Sequence, residues 1–510
     1  MFSPLSRRTL LKRSLQAGAI ASVGDFSFLN SLPAFADDEK AKPATVTLSP
    51  EIEPLVRLIE DTDQAKVLEA VAAKVREGTT YQQLLTATLL AGVRGIKPRP
   101  VGFQFHAVLV INSAHLASLA AADNDRWLPL FWAVDNFKSS QKTNKDKNAG
   151  WMMPPVDEAH VPSAENAKKA FAEAMDNWDE SASDCAAAAL ARHLPPAEAI
   201  EQFWRYGARD FRDIGHKAIF VANSWRALQS IGWHHAEPVL RSLAFALLQH
   251  EGDNPAKRDG DPDRPGRENL KRVKAFPATW QAGKPSNEAT SDVLDAIRTG
   301  GASDAAAKVT ELVKKGVAPS SLWDAVFLGA GELLMRSPGI VGVHCVTSAN
   351  ALHQAYCLTG DDETRRLALL QAASFMPLFR RAMGNKLADL RADKLEKVEP
   401  KGQGAEAVED IFAYADAGKE GLPAAKKALA FLDANPAGYD PLMKAARRLI
   451  FTKGTNAHDY KFSSAALEDY FNVSPRWRNA FLATSLFYLR GTKDRDNELS
   501  KRTRAALAKS

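Results

Sequence analysis

Seven of the eleven histidines in this 510-residue chain fall in three segments that share one layout. The segments open as His106-AVLVI-Asn112, His216-KAIFVA-Asn223 and His344-CVTSA-Asn350. In each, a His starts an apolar run and an Asn follows six or seven residues later. Eleven residues beyond the Asn comes a polar turn, at Asp123, His234 or Asp361, and then a second amphipathic run. Neutral imidazole is a ligand for iron, zinc, copper or nickel. It is costly to bury unless both ring nitrogens find partners. If the three hairpins are equivalent, His106, His216 and His344 would meet at one end of a helical bundle and could hold a transition metal. The plainer reading of each is a satisfied core or cap histidine.

Other residues carry the same double reading. Asn112, Asn223 and Asn350 either bridge neighbouring hairpins or orient ligand imidazoles and substrate, since an Asn inside a helix competes for backbone hydrogen bonds. His115, His235 and His353 share the hairpins with them, His235 and His353 as further candidates for a supporting or substrate-binding role. Later in the chain, His458 and Lys461 stand three apart at the start of a helical run, hence on one face. A neutral, desolvated Lys461 could react with carbon dioxide to give a carbamate, an oxygen-donor anion. The alternative is a solvated pair. His234, His235 and Glu237 precede Pro238, where a carboxylate suits the positive end of a helix. Trp127, Trp132, Trp225 and Trp233 could line an aromatic-ligand pocket or simply fill the core.

The elements that must position these residues are helices. Leu55, Leu58, Ile59, Val67, Leu68 and Val71 recur at three- and four-residue steps, Ala is abundant throughout, and alternating strand patterns are scarce. The expected fold is all-α, a multi-helix array or bundle built around repeated hairpins. Residues 139–163, 251–287 and 391–406 read as loops or linkers. The expected organisation is a signal segment at 1–36, a helical lead-in at 37–95, the hairpin core at 96–390, and a C-terminal helical segment at 391–510 carrying His458 and Lys461. Residues 400–450 read as ordinary amphipathic helices.

Composition narrows the function classes. Apolar residues make up 45% and charged residues 25%, which excludes wholesale disorder. Three cysteines give neither a disulfide framework nor a thiolate zinc spacing. There is no GxxxxGK[ST], GxGxxG after a strand, HExxH or GxSxG, so nucleotide hydrolysis, dinucleotide binding, zincin proteolysis and α/β-hydrolase chemistry are poor fits. The formal charge of +5 suggests nucleic acid at first sight. Residues 1–36, however, hold Arg7, Arg8, Lys12 and Arg13 against Asp25, and without them the balance is about +2. No nucleic-acid partner is expected, and no later run is long enough for a stable transmembrane segment.

Two resemblances add to this reading. Ser6-Arg7-Arg8-Thr9-Leu10-Leu11-Lys12, a mildly apolar stretch and Ala34-Phe35-Ala36 together resemble a twin-arginine export signal. That implies periplasmic or exported localisation, with the twin-arginine machinery as partner of the precursor. The run HCVTSANAL from His344 to Leu352 is similar to the H-A-V-T-x-x-H-A-L pattern of questin oxidase-like proteins. His458 to Phe462 resembles that family's later H-x-x-K-[FL] segment, Asn112 to Leu116 its early H-x-x-H-x-L segment, and His216 its middle His. The matching stretches are short and scattered between about 106 and 465. Asn112 and Asn350 stand where the pattern has His.

The second resemblance implies an all-α oxygenase acting on aromatic rings, with iron held by several His and a carboxylated Lys. Carried over by position, the ligands would be His115, His216, His344, His458 and Lys461. His106 is supported by the internal repeat alone. The leading expectation is therefore an exported metalloenzyme, a non-haem Fe(II) oxygenase or oxidoreductase acting on a small organic substrate. The rival is a non-catalytic helical-repeat binding protein of the cell envelope, in which these His would share no pocket.

Overall fold

Hydrophobic residues spaced at one helical turn leave a chain little choice but to pack helix against helix. In a computed structural model, which describes residues 45–384, 389–416 and 421–508, every regular element is a helix. An isolated bridge between Lys284 and Val317 is the one β-type pairing among the described residues. The expected signal at 1–36 lies outside them. No described helix is long and apolar enough to cross a membrane.

Each of the three repeated segments forms a helical hairpin. In the first, His106–Leu109 and Ile111–Leu119 lead through a short turn at Asp123–Asp125 to Leu128–Asn148. In the second, His216–Ile231 turns at Trp233–His235 into Ala236–Leu247. In the third, Ile340–Leu358 is followed by Asp362–Ala382, whose first turn is capped by Asp361 accepting from the Thr364 N–H. His106 and His216 are the first residues of their helices, while His344 lies one turn inside its own.

A fourth helix, Ala457–Asp469, packs on both the Ile340 and Ile111 helices. The His216 helix touches those same two. Four helix N-termini therefore point to one region. A single hydrophobic core runs through the protein, from Val46 to Ala506. The last helix, Glu498–Ala508, packs on Gln64–Arg76 and Leu128–Asn148, with Arg502 bound to Glu69 at 2.6 Å.

One loop expectation needs correcting. Residues 139–148 continue the helix Leu128–Asn148 despite their polar sequence. The polar side chains grip neighbouring segments. Lys138 Nζ donates to the carbonyls of Ile59 and Glu60, and Asn144 Nδ2 donates to those of Gly95 and Trp151. Buried donors satisfied in this way are compatible with a packed helix. Likewise, 251–287 contains the helix Arg264–Arg272.

Candidate metal centre

The three repeated histidines meet. His216 Nε2 lies 3.1 Å from His106 Nε2 and 2.9 Å from His344 Nε2. His458 closes the group, its ring centroid 4.5 Å from that of His106 and 5.2 Å from that of His344. His216 and His344 are buried and His106 and His458 largely so, with His458 Nε2 itself shut off from solvent.

Backbone geometry fixes how these rings face. His106 Nδ1 donates to the Phe103 carbonyl at 2.8 Å, His216 Nδ1 to Asp213 at 2.5 Å, and His344 Nδ1 to Ile340 at 2.6 Å. A carbonyl oxygen can only accept, so each Nδ1 carries the proton and each neutral ring presents a lone pair at Nε2. The His216 lone pair thus faces those of His106 and His344 across about 3 Å, where no hydrogen bond can relieve them. Two atoms bonded to one cation at about 2.0–2.1 Å lie at most about 4.2 Å apart, so the spacing suits a shared ion.

The chain is strained where it delivers these rings. Gly102 and Phe103 have φ of 124° and 46°, and Asp213, Ile214 and Gly215 have φ of 48°, 46° and 80°. Positive φ in a β-branched residue such as Ile214 is rare, and such positions cost on the order of 1–3 kcal/mol. The result is that the Phe103 and Asp213 carbonyls fold back onto the histidines three residues ahead. Glycine is required twice for contact as well. A Cβ on Gly102 would lie 3.1 Å from the His216 ring, and one on Gly215 only 2.1 Å from Ser348 Oγ.

Charge is kept out of the cluster. Burial, then the repulsion from Lys461 and His458 when these are protonated, pushes His106 well below the ordinary imidazole value. Burial with the same kind of neighbours does so for His216 and His344, and His458 falls to about 3. Lys461 sits one turn along from His458 and is buried, and burial alone lowers its amine to about 7. Lys461 Nζ and His458 Nε2 are both buried with no hydrogen-bond partner. Leaving such atoms unmade costs about 1–3 kcal/mol each. Asn456 caps this helix by accepting from the His458 N–H, and Asp459 completes the capping box. Lys217, next to His216, turns away into an ion pair with Asp210 at 2.9 Å.

The remaining candidates lie elsewhere. His115 is not in the cluster: its Nδ1 meets the Tyr81 hydroxyl at 3.2 Å, and His106 is the histidine of that hairpin that reaches His216. His353 packs among Trp323, Phe327 and Tyr356, near Cys357. His235 lies with His234 and Glu51. Glu237, the carboxylate beside them in sequence, is bound to Arg192.

Two of the asparagines act between elements. Asn223 Nδ2 donates to the Leu109 carbonyl, and Asn350 Nδ2 donates to Glu468 and Asp469. Arg226 joins them, donating to Asn350 Oδ1 and pairing with Glu468. Asn112 is buried with its Nδ2 unpartnered. Of the tryptophans, Trp132 stacks on Tyr460, two residues from His458, and Trp225 packs edge-on to Trp233. Compared with known families, curated proteins and solved structures, the chain matches none.

Proposed function

We propose that this protein is an exported metal-dependent oxidoreductase, a non-haem iron enzyme acting on an organic, aromatic substrate. One observation carries the reading: three imidazoles whose Nδ1–H groups are tied to backbone carbonyls, leaving three Nε2 lone pairs within 3.1 Å of their neighbours. His106, His216, His344 and His458 would hold the ion, and the unpartnered His458 Nε2 fits that role. Bound there, Fe(II) would supply redox chemistry toward dioxygen. Iron rather than zinc is favoured by the resemblance of the His344 and His458 segments to questin oxidase-like proteins.

Lys461 completes the donor set as a carbamate. Its neutral amine adds to carbon dioxide, forming an N–C bond and releasing one proton to solvent, so that a neutral amine becomes an anionic oxygen donor. The converging helix N-termini favour that anion over a cation. The carbonyl-bound imidazoles keep their orientation because each is anchored by its own backbone.

Two exposed apolar side chains flank the cluster. Phe103 is 72% exposed and Ile340 49%, and their carbonyls are the ones that hold His106 and His344. An apolar organic molecule would dock against them. Export through the twin-arginine route agrees with a metal inserted before translocation.

The deciding experiment is metal content and absorption spectrum of protein matured in its own host, beside His344→Ala. Wild type should carry one iron per chain in the central cluster and the variant no iron. If wild type carries no stoichiometric iron, the reading fails.

A further inference from the structure

We propose that Glu51, His234 and His235 form a second metal site, a carboxylate and two imidazoles that take a late first-row divalent cation such as Zn2+. Their ligand atoms all lie within 4.8 Å of one another. Glu51 belongs to the segment that enters the first helix, whereas the histidines form the turn between His216–Ile231 and Ala236–Leu247. A bound ion would therefore pin residues 45–52 to the second hairpin, a connection separate from the central cluster.

Neighbouring histidines usually diverge, but these two are brought together by the backbone. Gly232 ends the His216 helix with φ 103°. Its missing Cβ makes room for the His234 ring, since a Cβ there would lie 2.8 Å from His234 Cε1. The His234 imidazole folds back and sits 3.9 Å, centroid to centroid, from that of His235. His235 is buried and His234 exposed, so the group has a protected side and an open side, through which water could complete the coordination.

The chemistry of the three groups is matched. Among the described residues, neither imidazole has a side-chain hydrogen-bond partner, so their ring nitrogens are unspent. A neutral imidazole offers one ring-nitrogen lone pair to a metal. Glu237 cannot serve, because Arg192 holds both its oxygens, at 2.8 and 3.0 Å. Two nitrogens and one oxygen make a borderline donor set that suits zinc, nickel or copper over magnesium or calcium. The first segment is already anchored beside the site by the Val46 N–H donating to the Met153 carbonyl and by buried Leu48 and Ile52. The carboxylate therefore needs little ordering to bind.

The test counts zinc. Full-length protein is stripped of metal, equilibrated with zinc chloride and freed of unbound ion by gel filtration. Wild type, Glu51→Gln, His234→Asn and His344→Ala are compared, with circular dichroism confirming the fold of each. The expected result is one zinc equivalent fewer in both Glu51→Gln and His234→Asn than in wild type, whether or not His344→Ala also loses one. Equal zinc in wild type and the two folded surface variants would overturn the proposal. Failure of the central site would show separately, as equal zinc in wild type and His344→Ala.

Discussion

Replacing Lys461 by Met removes a buried amine while nearly preserving side-chain length and volume. The amine is pushed down from its ordinary 10.5 to about 7 by burial, and Nζ has no partner. Linkage converts that difference into about 4 kcal/mol lost by the metal-free fold at about pH 7. The sign follows from a folded pKa below the unfolded one. The penalty is full below about pH 7, shrinks as pH rises, and is gone above about 10.5. Lys461→Met should therefore raise the unfolding free energy of metal-free protein by about 2–4 kcal/mol at neutral pH, with the gain fading toward pH 10.5. Urea unfolding at the two pH values measures it. The same variant should bind iron more weakly, and added bicarbonate should strengthen metal binding by wild type alone. A variant less stable than wild type at neutral pH would refute the reasoning, because it would mean that the ammonium has a compensating partner.

Three further outcomes are expected. His106→Ala should lose metal, while His115→Ala, which removes only a contact to Tyr81, should keep it; equal metal loss would overturn the assignment. Gly215→Ala should lower stability by about 1–3 kcal/mol, since φ is 80° and the new Cβ would lie 2.1 Å from Ser348 Oγ. It should also weaken metal binding by forcing the His216 and His344 helices apart, and an unchanged melting temperature would sink this explanation. Acid should destabilise the metal-free protein. The four imidazoles have folded pKa values below the ordinary 6.5, so the stability they give is present above that value and lost as pH falls toward about 3 for His458. Asp213, raised to about 6 by burial, acts oppositely, as do the buried carboxyls of Glu60, Asp135, Asp324 and Asp469, but His115, His235 and His353, lowered by burial as well, add to the four imidazoles. Unfolding free energy should drop by at least about 2 kcal/mol between pH 7 and 5, and a flat profile would contradict the buried-neutral account.

The repeated layout was legible because hydrophobic period and turn chemistry are local properties. The polar turns at Asp123, His234 and Asp361 are observed where the spacing predicts them, and the all-α class follows from the same periodicity. The helical stretch at 139–148 was not legible, because its polar residues are stabilised by partners as distant in sequence as Glu60 and Gly95. Glu51 gave no signal at all. A carboxylate far from His234 in the chain becomes its neighbour only through packing, while the nearer Glu237 is taken by Arg192.

Sequence by itself therefore determined the helices, the three hairpins and the set of histidines available for chemistry. Each of these depends on contacts within a few residues. Only the tertiary structure decided which histidines meet. Whether His106 or His115 faces the centre depends on the positive-φ turn at Gly102 and Phe103 and on the packing of four separate helices. That packing also leaves the Lys461 amine buried without a partner, which no local pattern could have specified.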